Sequence, residues 1–158
     1  IQTESRLIVY AHKNELLRED LRHETTHGFL HAALPHIPIW IDEGLAEFFE
    51  PPRESAGLNR VHVELLVEDL GSGRWSPDLM RLERANQLHD MSQLDYAESW
   101  LWVHWLARTT PARRQVLVDY AAALKQNPEA QGVSMRLDRI TANPRGELLM
   151  HLESLKAT

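Results

Sequence analysis

His23-Glu24-Thr25-Thr26-His27 constrains this chain more than any other stretch. Two histidines four apart fall on one face of a helix, with Cβ atoms roughly 5–6 Å from each other. Both imidazoles then reach one ion at the zinc–nitrogen distance of about 2.0–2.1 Å. Glu24 follows the first histidine directly. It is too close in sequence for a comfortable third ligand and well placed to hold and deprotonate a water on that ion.

The rest of the ligand set must come from the same kinds of residue, because the chain has no cysteine. A catalytic zinc takes three protein ligands and keeps one position open. Where the metzincin pattern carries a glycine and a third histidine, this chain has Leu30 and Ala33. Gluzincins instead take a glutamate from the next helix, and Glu43 fits that demand. It follows a rigid Pro35-His36-Ile37-Pro38 loop and an apolar Ile39-Trp40-Ile41 anchor. Asp42 is read as the N-cap of a short helix that runs to about Glu50 and stops at Pro51-Pro52. Gly44 and Ala46 are small enough to let that helix pack closely on the first.

Residues 21–50, LRHETTHGFLHAALPHIPIWIDEGLAEFFE, resemble the active-site core of gluzincins in the peptidase MA group. The shared pattern is HExxH, a short loop, then P-x-W-x-D-E-G-x-A. Its second part is similar to the W-L-N-E-G-F-A helix of the aminopeptidase N family, whose spacer is longer; the short spacer is closer to small bacterial gluzincin-like domains. A second stretch, Tyr96 to Leu106 (YAESWLWVHWL), is similar to the helix that supplies a transition-state tyrosine in those relatives.

The resemblance implies a mainly α, zincin-like α+β fold in one catalytic domain spanning residues 1–158. It implies Zn2+ held by His23, His27 and Glu43, with Glu24 as general base on a zinc-activated water, and a peptide or protein as substrate. Tyr96 would donate a hydrogen bond to the oxyanion of the tetrahedral intermediate. Asp42 and Glu47 would hold the ligating histidines from behind. Thermolysin-type relatives carry an Asp four residues after the ligand glutamate, where this chain has the longer Glu47. The G-x-M-E-N motif that binds a free N-terminus is missing, so aminopeptidase specificity is not implied. The alternative to a metallopeptidase is a zinc-binding structural or interaction domain that keeps the core without turnover.

Around this core the chain reads as mostly helical. Ser5 to His12 is β-branched and aromatic and is expected to form a short strand, an edge on which an extended substrate could pair. A long helix led by Glu15 carries the HExxH segment and ends before Pro35. Further helices are expected over Val61 to Leu70, Pro77 to Glu83 (Ser76 as cap, Pro77 first), Leu94 to Arg108, Thr110-Pro111 to Gln126, and from Asn143-Pro144 onward, with a weak segment over Ser134 to Ile140. Trp100, Trp102 and Trp105 read as packing residues and His104 as a core histidine. His31, His36 and Glu50 read as solvated.

The net charge of −6 argues against a nucleic-acid or anionic-membrane surface as the main partner. No apolar run approaches the roughly 20 residues that span a bilayer. Beginning at Ile1 without an initiator Met or signal pattern, the chain reads as a domain excised from a longer protein; a signal removed upstream would make it extracytoplasmic.

Overall fold

A computed structural model describes residues 17–157. Those residues form eight α-helices and two short 3-10 turns, with no strand among them. The helices are α1 (Leu17–Ala33), α2 (Ile39–Phe49), α3 (Arg60–Gly71), α4 (Leu79–Arg84), α5 (Gln93–Arg108), α6 (Pro111–Gln126), α7 (Val133–Leu137) and α8 (Pro144–Lys156). The expected strand at Ser5–His12, and the α+β form that depends on it, lie outside the described residues. Within them the protein is all helical. No helix among them is long and apolar enough to cross a membrane.

The order is set by α5. Ser92 starts it with a reciprocal capping box: its side chain accepts from the Asp95 amide while the Asp95 carboxylate accepts from the Ser92 amide. From Asp95 to Leu106 every residue except Tyr96 is buried, so the helix is covered on all sides, as expected of a central element. Trp100, Trp102 and Trp105 sit in the core with Trp40 of α2, Leu66 of α3, Leu137 of α7 and Leu148 and Leu152 of α8.

One buried carboxylate organises the indole edges. Glu98, fully buried, accepts from Trp75 Nε1 (2.9 Å), Trp102 Nε1 (3.2 Å), the Asp78 amide (2.6 Å) and Arg81 Nη2 (2.7 Å). A charge in this position is tolerable because each lone pair is occupied. It also fixes the start of α4. The expected cap at Ser76 and first turn at Pro77 are corrected: Asp78 is the N-cap, its side chain accepting from the Arg81 amide.

Gly44 is where α2 meets α5. A Cβ there would stand 2.6 Å from Ser99 O and 2.8 Å from Val103 Cγ2, so the helices approach to a distance only glycine permits. The close packing expected for this glycine is therefore against α5, not α1. With α2 pinned to the core by Trp40, Ile41 and Gly44, its acidic side chains are left to meet α1.

Candidate metal centre

α1 places His23 and His27 one turn apart. It ends at Ala33, close to Pro35, because the residue before a proline disfavours helical backbone. The loop turns through an Ile37 N–Leu34 O bond of 3.1 Å. Pro38, extended at φ −62 and ψ 143, is the N-cap of α2 and contributes no side-chain cap. This corrects the expectation for Asp42: it lies within the first turn of α2, and its carboxylate is turned toward α1.

His23 Nε2 and His27 Nε2 are 3.0 Å apart. Glu43 Oε2 lies 3.7 Å from the first and 3.6 Å from the second. The latter two distances are too long for hydrogen bonds. A triangle with these edges has a circumscribed radius of about 2.0 Å, the length of a zinc–nitrogen bond. Glu43 is only 6% exposed, a buried carboxylate facing two imidazole nitrogens. The three ligand atoms therefore fit one small divalent cation.

The remaining ring nitrogens are backed by carboxylates. His23 Nδ1 is 2.9 Å from Glu50 Oε2. His27 Nδ1 is 3.0 Å from Asp42 Oδ1, a close charge contact without hydrogen-bond alignment. The other oxygen of Asp42 meets His31 Nε2 at 2.7 Å. Such contacts leave both Nε2 atoms directed at the ion position, the usual arrangement behind ligating histidines.

Electrostatics agree. Burial alone works against a charge on His23, yet Glu43 and Glu50, with Glu47 nearby, outweigh it and push the imidazole up to about 10. His27 is raised chiefly by Asp42, against the cost of burial. Burial would raise the Asp42 carboxyl, but His27 and His31 hold it below the usual range. Glu50 is lowered first by its bond to His23. The carboxylates that hold protons on these nitrogens make the region between α1 and α2 electronegative.

The sequence-derived residues fall as follows. His23, His27, Glu43 and Asp42 lie close together. Glu24 is exposed on α1 and Tyr96 is half-buried on α5; both line one cleft of about 750 Å³ together with His23, His27 and Glu43. Burial, then Glu43 and Glu47, pushes the Tyr96 phenol up, so it stays a hydrogen-bond donor at neutral pH. Ile37, Ile39 and Leu88 supply apolar wall.

Glu47 departs from expectation. It lines the cleft, but its carboxylate is bonded to His62 Nε2 of α3 at 2.8 Å rather than to either α1 histidine. Glu50, read as solvated, takes the place behind His23. His31 is 60% exposed, as expected of a surface residue, but is tied to Asp42. The signal for Glu50 was present in the spacing. Residues 43, 47 and 50 follow the i, i+4, i+7 rule for one helix face.

A family model described as protein of unknown function, DUF1570, matches residues 19–129, from the first turn of α1 past the end of α6. No curated protein and no solved structure matches the chain.

Proposed function

The chain belongs to the DUF1570 family, and within it we propose that this protein is a zinc-dependent metallopeptidase of the gluzincin, zincin-like kind. His23, His27 and Glu43 hold the ion and Glu24 is the general base. The observation that carries the reading is the convergence of His23 Nε2, His27 Nε2 and Glu43 Oε2, 3.0 to 3.7 Å apart, at the wall of a cleft that Glu24 and Tyr96 also line.

Zinc bound there supplies a Lewis acid for a scissile carbonyl and lowers the pKa of bound water toward about 7. The protein's own residues do the rest. Glu24, on the turn of α1 that carries His23, accepts the proton released at attack and returns it to the leaving amine. Tyr96 donates from its phenol to the developing oxyanion. Asp42 holds His27 so that its Nε2 stays on the ion, and Ile37, Ile39 and Leu88 exclude water from one side of the substrate. Glu24 supports turnover over a purely structural role, because holding the metal does not require it.

The test is metal-dependent cleavage. Protein stripped with a chelator is incubated with a peptide library before and after one equivalent of zinc is returned, and products are read by mass spectrometry. Cleavage that vanishes on stripping and returns with zinc supports the reading. Full zinc occupancy without any cleavage leaves the zinc-binding structural domain as the better account.

A further inference from the structure

Resting on that metal-centre reading, we infer that Glu50 is the positioning residue for His23, seven places after the ligand Glu43, and that Glu47 at four places is not. A carboxylate oxygen can only accept. The 2.9 Å contact with Glu50 Oε2 therefore places a hydrogen of His23 on Nδ1, so that Nε2 is the nitrogen left to take an ion.

Glu50 is itself clamped at both ends to one turn of α1. Its backbone oxygen accepts from Arg22 Nε at 2.5 Å, and its carboxylate meets the next residue, His23, at 2.9 Å. Its amide closes α2 on Ala46 O at 2.9 Å. A residue held at amide, carbonyl and side chain is a rigid support for a ring that must keep one orientation. Its side chain is 28% exposed, so truncation opens onto water rather than leaving a sealed void. Glu47 is occupied elsewhere, with Oε2 at 2.8 Å from His62 Nε2 and 3.4 Å from Asn59 Nδ2. Both come from the start of α3, so Glu47 ties α2 to α3 while Glu50 ties α2 to α1.

The experiment is a zinc titration of the full chain against a chromophoric chelator, for wild type, Glu50→Ala, Glu50→Gln and Glu47→Gln. Melting curves of the metal-free forms accompany it. Loss of a carboxylate behind a ligating histidine weakens metal binding by about 10–100-fold, and that loss is expected for Glu50→Ala. Glu50→Gln keeps an accepting oxygen and should stay within about threefold of wild type, as should Glu47→Gln. In the zinc-loaded protein the His23 Nδ1–H proton should exchange slowly in wild type and Glu50→Gln and rapidly in Glu50→Ala.

Unchanged affinity in Glu50→Ala overturns the inference, as does a larger loss in Glu47→Gln. Equal losses in Glu50→Ala and Glu50→Gln with lowered metal-free melting temperatures also overturn it, since that pattern marks a structural role. A wild type that binds no zinc overturns the metal-centre reading as well. The failure of the two ideas is thereby distinguishable.

Discussion

Asp42 and Glu43 address opposite nitrogens of one imidazole: Asp42 Oδ1 lies 3.0 Å from His27 Nδ1, and Glu43 Oε2 lies 3.6 Å from His27 Nε2. Two consecutive residues in the first turn of α2 thus supply one proposed ligand and the carboxylate behind another. This fixes how α2 must be rotated against α1, and it makes metal binding and helix packing interdependent.

The first prediction follows from that dependence. An ion joining α1 and α2 stabilises the fold, because the site is not assembled in the unfolded chain. Free zinc at about a hundred times its dissociation constant adds about 2.7 kcal/mol, which for a domain of this size raises the melting temperature by roughly 5–10 °C. Chelation should reverse the shift, and a His27→Ala or Glu43→Ala chain should show none. Scanning calorimetry with and without chelator checks this; a wild-type melting temperature indifferent to zinc would contradict it.

A second prediction concerns the α2–α5 contact that carries Glu43. In Gly44→Ala the new Cβ meets Ser99 O at 2.6 Å and Val103 Cγ2 at 2.8 Å. The helices must separate, at a cost of about 1–3 kcal/mol that exceeds the helix-propensity gain of up to about 1 kcal/mol. Gly71→Ala, where an added Cβ meets nothing within 4 Å, keeps that gain without the clash. Urea unfolding should show the first variant less stable than wild type and the second equal or more stable.

The third prediction is a pH dependence remote from the metal. His104 Nδ1 is 2.9 Å from His151 Nε2 in the core beside Trp100 and Phe48. Burial pushes both down to about 4, helped by His151 and Arg108 at His104 and by Arg113 at His151. They are neutral when folded and titrate near 6.5 when unfolded, so between those values the unfolded chain binds more protons. Stability contributed by the neutral pair is complete above about pH 6.5 and is lost as the pH falls toward about 4. Each unit of difference is worth about 1.4 kcal/mol. Metal-free wild type should lose unfolding free energy across that window more steeply than His104→Leu. Parallel curves would show that the pair does not titrate on unfolding.

Much of the helical layout was legible because local chemistry marks it. Thr110 and Asn143, each followed by a proline, cap the helices they are read to open, whereas α3 and α5 are read from their apolar residues alone, without their caps Asn59 and Ser92. Asp42 misled for a physical reason. An aspartate before a helical run has the composition of a cap, but here Pro38 opens the helix earlier and the carboxylate is claimed by two histidines of another element. The convergence of His23 and His27 could be read because HExxH confines both to one helix turn. The spacing put Glu43, Glu47 and Glu50 on one face of α2, but which of them meets His23 and which meets His62 depends on how α2 rolls against α1 and α3. That angle is set by Gly44 and the tryptophan core rather than by any local pattern.

The most direct test of the central claim is the turnover of a peptide library by zinc-loaded wild type beside zinc-loaded Glu24→Gln. The substitution keeps size and removes the base while leaving His23, His27 and Glu43 intact. The account predicts equal zinc content in both proteins and cleavage by the wild type alone, with the loss approaching the full general-base contribution of about 10²–10⁴-fold. Equal cleavage by both would contradict the role of Glu24, and no cleavage by either at full zinc occupancy would contradict the peptidase itself.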